Sequence, residues 1–367
     1  MPSSSGFKAE PEHSHGRPPR TAILYCNLGT PDEPTASAVR RYLAEFLSDR
    51  RVVEIPRIVW LPLLYGVILP LRSAKSAAKY ASIWLKEGSP LRVWTQKQAT
   101  LLQGWLAVRG HDVPVRYAMR YGQPSIGSQL DALKAEGATR ILVLPAFPQY
   151  AGSTTASMID AVTDWTQSTR NLPELRFVNH YHDDRGYLQA LARRIERYWQ
   201  DNGGQAHLVM SFHGVPERTL HLGDPYHCEC HKTARMLAQW LRLEPSQYTL
   251  TFQSRFGKAK WLEPYTEPTL HTLAKSGVER VDVVCPGFTG DCLETLEEIA
   301  MEGRDAFLSA GGKSYHYIPC LNDDPAWIAA LGAIAEKHLS GWPTKEAPDT
   351  AALARSREAA LVKGAPR

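Results

Sequence analysis

The chain has 367 residues, 43% of them apolar and 22% charged, the make-up of an ordinary globular protein with room for two α/β lobes, each with a full core. A net charge of +4, evenly spread, argues against a nucleic-acid partner. No uninterrupted apolar run reaches the roughly 20 residues of a membrane span.

Met1 to Arg20 is polar and rich in Ser, Pro and His, with no apolar h-region. It reads as a disordered tail rather than a secretory signal, which gives a cytoplasmic placement. Ile23 to Leu28 reads as a buried strand closed by Gly29-Thr30-Pro31. The apolar segment 55–72 is broken by Pro56, Pro62 and Pro70, a spacing that argues against one regular helix or a central strand. Two readings stand: a loop buried under a following helix, or an irregular apolar lip over a hydrophobic ligand. Flanked by Arg51, Arg57 and Arg72, such a lip would also suit a membrane surface.

Further along, Leu208 to Phe212 form an apolar strand that ends at His213 before Gly214-Val215-Pro216. Open α/β sheets bind ligands outside the carboxyl ends of their strands, where an imidazole can take a proton or hold a metal. The plainer alternative is a histidine bonded to a turn carbonyl. His227-Cys228-Glu229-Cys230-His231 packs four soft donors into five residues but lacks the spacing of a structural zinc site. After the strand Arg280 to Cys285 comes a helical pattern in which Leu293, Leu296, Ile299 and Ala300 form a core stripe. Glu294, Glu298 and Glu302 fall four apart on the opposite face. They are either a solvated face, with Glu294 reaching back to an Asp291 cap, or a cation track at a cleft mouth.

An internal repeat supports the cleft. The series Val115 to Gly122, Gly137, Arg140 and Leu142 to Pro145 recurs in order as Leu250 to Gly257, Gly277, Arg280 and Val283 to Pro286. Each series follows a strand that ends in Gly-x-Pro. The expected fold is therefore α/β, with two Rossmann-like lobes related by duplication, each a parallel sheet flanked by helices. The expected organisation is a tail at 1–20, an N-terminal lobe at 21–165 and a C-terminal lobe at 166–324 carrying the metal site. A helix at 325–340 and a second disordered tail at 341–367 complete it.

Several motifs now combine: Asn27-Leu28-Gly29-Thr30-Pro31, Gly88-Ser89-Pro90-Leu91, Arg120-Tyr121, Gln149-Tyr150 with Ser153-Thr154-Thr155, Ser211-x-His213-Gly214-x-Pro216, Gly223-Asp224-Pro225-Tyr226, Gln253-Ser254-Arg255, Trp261-Leu262, Pro286-Gly287-Phe288 and Asp291 to Glu298. From about Ala22 to Ala330 the chain resembles the ferrochelatases. The resemblance implies insertion of Fe²⁺ into protoporphyrin IX with release of two protons, as the last step of haem synthesis. Iron is then a substrate and no further cofactor is required. His213 and Glu294 match the family's metal-binding and catalytic pair, and Glu298 and Glu302 its carboxylate row, a relay for protons or metal. Arg120, Tyr121, Leu28 and Trp261 are expected at the porphyrin, although Arg120 is equally able to hold a structural carboxylate. Segment 55–72 matches the family's active-site lip, the segment whose flanking arginines also suit a peripheral membrane contact.

The C-terminal cysteines of cluster-bearing members are absent and Gly152 replaces their internal cysteine, so a [2Fe–2S] cluster is not expected. Only Cys228 and Cys230 keep another cluster type open. Leu28, where coproporphyrin-specific members can carry tyrosine, favours protoporphyrin. The alternatives are a sirohydrochlorin cobalt or nickel chelatase and a non-catalytic haem or metal carrier. A nucleotide-sugar enzyme would need a Gly-x-Gly-x-x-Gly turn, which is lacking. Nothing in the sequence fixes an oligomeric state.

Overall fold

The computed structural model describes residues 7–12, 14–345 and 347–365. Its strands β1 (Arg20–Gly29), β2 (Val115–Tyr121), β3 (Ala138–Pro145) and β4 (Glu174–Phe177) pair in the order β2-β1-β3-β4. β5 (His207–His213), β6 (Tyr248–Gln253), β7 (Arg280–Val284) and β8 (Ser314–Tyr317) repeat that order as β6-β5-β7-β8. All pairings within the two sheets are parallel. The central strands are buried nearly end to end because helices cover both faces of each sheet.

The duplication extends to single bonds. Met119 N donates to Pro124 O at 2.7 Å, and Phe252 N donates to Pro264 O at 2.8 Å. Gly29, which ends β1, and Gly214, which follows β5, each press on the last carbonyl of the neighbouring strand. A Cβ on Gly29 would lie 1.9 Å from Tyr121 O, and one on Gly214 would lie 2.7 Å from Gln253 O. After the third strand of each half the chain winds into a π-helix, at Gly152–Ala156 and again at Glu294–Gly303.

One apolar core joins the halves. It runs from Tyr25 and Leu142 through Leu102, Leu191 and Trp327 to Met210 and Phe212. Helices Pro90–Val108, Arg185–Asp201 and Pro325–His338 supply the bridging side chains. This shared core fixes one lobe against the other and leaves the carboxyl ends of the strands free to form the site.

Three expectations need correction. Segment 55–72 is helical. An α-helix Arg57–Leu63 passes through the π turn Leu64–Ile68 into Leu69–Ile83, giving 27 helical residues. Pro56 precedes the first turn, Pro62 removes one interior N–H, and Pro70 sits where the widened turn re-enters α geometry. The prolines therefore deform the helix without ending it. By length and composition alone this helix is able to cross a membrane, which an unbroken-run count missed. Its stripe Trp60, Leu64, Leu69, Ala77 and Tyr80 is nevertheless buried in the lobe, and Trp60 Nε1 donates to Leu47 O at 2.7 Å. The opposite face exposes Ile58 (86%), Val59 (60%) and Leu71 (74%).

The second correction concerns the segment from Leu293. Because it is a π-helix, the buried positions are Thr295, Glu297, Ile299 and Gly303, while Leu296 and Ala300 are half-buried. Leu293 packs instead against the N-terminal lobe, beside Tyr42, Tyr80 and Tyr121.

Third, the expected tails make contacts. Lys8 N bonds Ser168 O at 2.9 Å, and Lys8 Nζ lies 2.8 Å from Asp131. Glu10 pairs with Lys134. Trp342 is buried with Nε1 on Glu174 at 2.8 Å, and Thr350–Val362 is a helix.

Candidate active site

His213 is the last residue of β5, and its Nδ1 lies 2.6 Å from Gly214 O. A carbonyl only accepts, so Nδ1 carries a proton, and in the neutral ring the lone pair is then on Nε2. The bond that made the turn-held alternative plausible is thus what readies the ring as a base or ligand. Beside it, β6 pairs His213 with Gln253.

Gln253 is the residue the motif reading left without a role. Its Oε1 accepts from Ser211 Oγ at 2.8 Å, while its Nε2 donates to Glu294 O at 2.8 Å and approaches Glu298 Oε2 at 3.4 Å. The histidine strand and the carboxylate helix meet at this one amide. Glu298 also accepts from Ser254 N at 2.6 Å and from Ser254 Oγ. Burial pushes its carboxyl above the ordinary value, with Glu294 adding to the rise, against the Ser254 bonds and the charge of His213.

Glu294 opens the π-helix, facing Tyr42 and Tyr80 of the other lobe. Burial pushes both phenols well up, and Glu294 adds to each. The capping-box alternative fails: Asp291 is buried and accepts from Asn322 Nδ2 at 2.6 Å and Thr295 Oγ1 at 3.1 Å. Glu302 lies at the exposed end of the row. There Lys79 Nζ reaches it at 2.8 Å and Glu297 also at 2.8 Å, the five-residue spacing being that of π winding.

Arg120 and Tyr121 meet on Asp49, at 2.6 Å from the guanidinium and 2.8 Å from the phenol, with Ser157 completing the group. Burial would raise Asp49, but bonds from Ser157, Arg51 N–H and Tyr121, together with the Arg120 charge, hold it below the usual carboxylate range. The Tyr121 ring is fully buried against Phe46 at 5.2 Å, and Leu28 packs in the same cluster as Leu293. Trp261 lies 6.5 Å from His213, ring to ring, and its Nε1 is buried with no partner among the described residues. Residues 227–231 scatter around helix Tyr226–Trp240. The rings of His227 and His231 lie 4.3 Å apart over Phe252, Cys228 is exposed, and Glu229 and Cys230 are buried.

Sequence comparison identifies the family. The ferrochelatase family model matches residues 20–339. A ferrochelatase of Polaromonas sp. is 68% identical, covering 98% of this chain and 100% of the relative. One of Methylibium petroleiphilum is 71% identical over 94% and 95% respectively. Among solved structures, SirB from Bacillus subtilis with Fe³⁺ superposes with TM-score 0.51 at 16% identity, over 89% of this chain and 100% of that one. A multi-domain protein from Deinococcus radiodurans with structural similarity to chelatases gives 0.51 at 13%, over 94% and 60%. At those identities the likeness is one of fold, and both neighbours share the two-lobed architecture. Matched along nearly its whole length, the chain belongs to the ferrochelatase family.

Proposed function

We propose that His213 and Glu294 carry the insertion of Fe²⁺ into protoporphyrin IX by this chain. Family membership makes it an enzyme that places iron in a porphyrin for haem synthesis; the assignment of roles to residues is our reading. A free-base porphyrin holds two N–H protons in a flat ring, and the ion enters only as those protons leave and the ring puckers. The observation that carries the assignment is the Nδ1 bond of His213, which makes Nε2 the basic nitrogen of the neutral ring, beside the Gln253 that bonds Glu294 O and approaches Glu298.

In this reading Nε2 accepts a pyrrole proton or guides iron, to which imidazole is suited. Glu294 faces it as ligand or second base. Glu298, raised by burial, stays protonated to higher pH than a free glutamate, which suits a carboxyl that both takes up and gives up protons. Glu302, beside Lys79 at the exposed end, hands them to water. Binding energy from Leu28, Trp261 and the partly exposed Arg120 is spent on the puckered ring, while the buried Tyr121 helps hold Asp49 beside Arg120. Leu28 in place of tyrosine supports protoporphyrin over coproporphyrin.

The enzyme is proposed to work in the cytoplasm against the inner membrane face, through Ile58, Val59 and Leu71 flanked by Arg57 and Arg72. We also propose that it needs no [2Fe–2S] cluster. Gly152 N is occupied by Asp224 at 2.7 Å, and Cys228 and Cys230 face apart. Sulfide-bridged iron absorption in iron-replete protein would overturn that.

Anaerobic turnover of Fe²⁺ and protoporphyrin IX tests the carboxylates. Glu294→Gln is expected to lose about 10²-fold or more and Glu302→Gln less than about 10-fold. Equal, near-normal rates in the two variants contradict the assignment.

A further inference from the structure

Glu229 belongs to a cluster outside the cleft centre. The segment joining β4 to helix Arg185–Asp201 carries His180 and His182, and both rings converge on this glutamate. His180 Nδ1 lies 2.6 Å from Glu229 Oε1, and His182 Nδ1 lies 3.3 Å from Oε2. The rings are 5.0 Å apart, and one donor atom from each of the three residues lies within 4.8 Å of the others. A histidine pair and one carboxylate at this separation form a compact N₂O set.

The state of each group points to a cation. Burial would raise the Glu229 carboxyl, yet the adjacent His182 ring, the Tyr150 N–H at 2.7 Å and a bond from His180 hold it below the ordinary range, so a buried negative charge faces the two rings. The His182 ring is only 7% exposed, and its Nδ1 has no hydrogen-bond partner among the described residues; its approach to Glu229 is off the bonding line. A buried polar atom left unpaired is costly, and a metal ion would accept that lone pair. His180 is 50% exposed and opens the cluster to solvent, leaving room for a water ligand. The nearby cation Lys232 is engaged by Asp183 at 2.5 Å, away from the glutamate.

We propose that His180, His182 and Glu229 form a second transition-metal site, taking one divalent ion of the Zn²⁺, Co²⁺ or Fe²⁺ class. The ion would brace the lobe junction. Its ligands come from the crossover segment and from helix Tyr226–Trp240, and Glu229 also caps Tyr150 of the loop leading to the π turn Gly152–Ala156. The site is independent of the insertion chemistry at His213.

The test titrates Co²⁺ into His213→Ala protein, which removes the histidine of the cleft. One ion per chain is expected, with visible d–d absorption. His180→Ala in that background is expected to weaken binding at least about ten-fold. Glu229→Gln, which keeps an acceptor for Tyr150 N, should do the same. Zn²⁺ should raise the thermal midpoint of His213→Ala protein but not of the double variant. His180→Ala alone should still form metalloporphyrin. Absence of a bound ion in His213→Ala protein, or a Co²⁺ affinity and spectrum unchanged by both His180→Ala and Glu229→Gln, overturns the proposal and leaves a histidine–carboxylate contact only.

Discussion

At Gln253 one side-chain amide meets both halves of the reaction centre, and no charge or periodicity marks it in the sequence. His213 was legible because it ends an apolar strand at a Gly-x-Pro turn. Gln253 was visible only as part of a family motif, since an uncharged amide carries no pattern. Gln253→Leu should lose about 10-fold or more in kcat. It should also destabilise the fold by about 1–3 kcal/mol, because Glu294 O loses its side-chain donor and Ser211 Oγ keeps only Thr266; steady-state kinetics and urea denaturation would measure both. Glu298 gives a pH prediction. Its folded carboxyl holds a proton that the unfolded chain releases, so over the window from the ordinary glutamate value up to the raised one, stability falls as pH rises. Glu298→Gln should flatten that slope in thermal midpoints measured across pH, and an unchanged slope would contradict the raised value.

Two helices depart from what local rules allow, and both line the site. α periodicity predicts the acidic row on an outer face, but winding at five residues per bond buries Thr295, Glu297, Ile299 and Gly303. No residue in the segment announces this. Part of the cause is 16 residues further on, where Tyr315 OH donates to Ile299 O at 2.6 Å and lies against Gly303. Likewise Lys79 finds Glu297 and Glu302 across more than two hundred residues, beyond any local signal. Lys79→Met should cost about 1 kcal/mol or less, the scale of partly exposed pairs, visible as a small drop in thermal midpoint. A loss several times larger would show that the pair does more than tie two helices. In the helix Arg57–Ile83, Ile58→Glu with Val59→Glu should abolish sedimentation with anionic vesicles while leaving turnover in detergent near normal. Retained vesicle binding would remove the membrane role.

For the whole molecule, the duplication was the most readable feature. Two Gly-x-Pro strand ends and two matched series predicted two like sheets, and both sheets have the same strand order. What the repeat did not reveal is that the lobes share one core, built from three helices lying outside the matched series. Nor did it show that residues 7–12 and 341–345 are tied down, by single pairs such as Glu10 with Lys134 and Trp342 with Glu174. A shared core ties the two lobes together, and this holds one imidazole and a short row of carboxylates in register for metal insertion. That account rests most directly on His213. Anaerobic metallation of protoporphyrin IX by the parent chain and by His213→Ala, with matched circular dichroism, is the measurement to make. The account predicts a fall of about 10²-fold or more with an unaltered fold; turnover within a few-fold of the parent would contradict it.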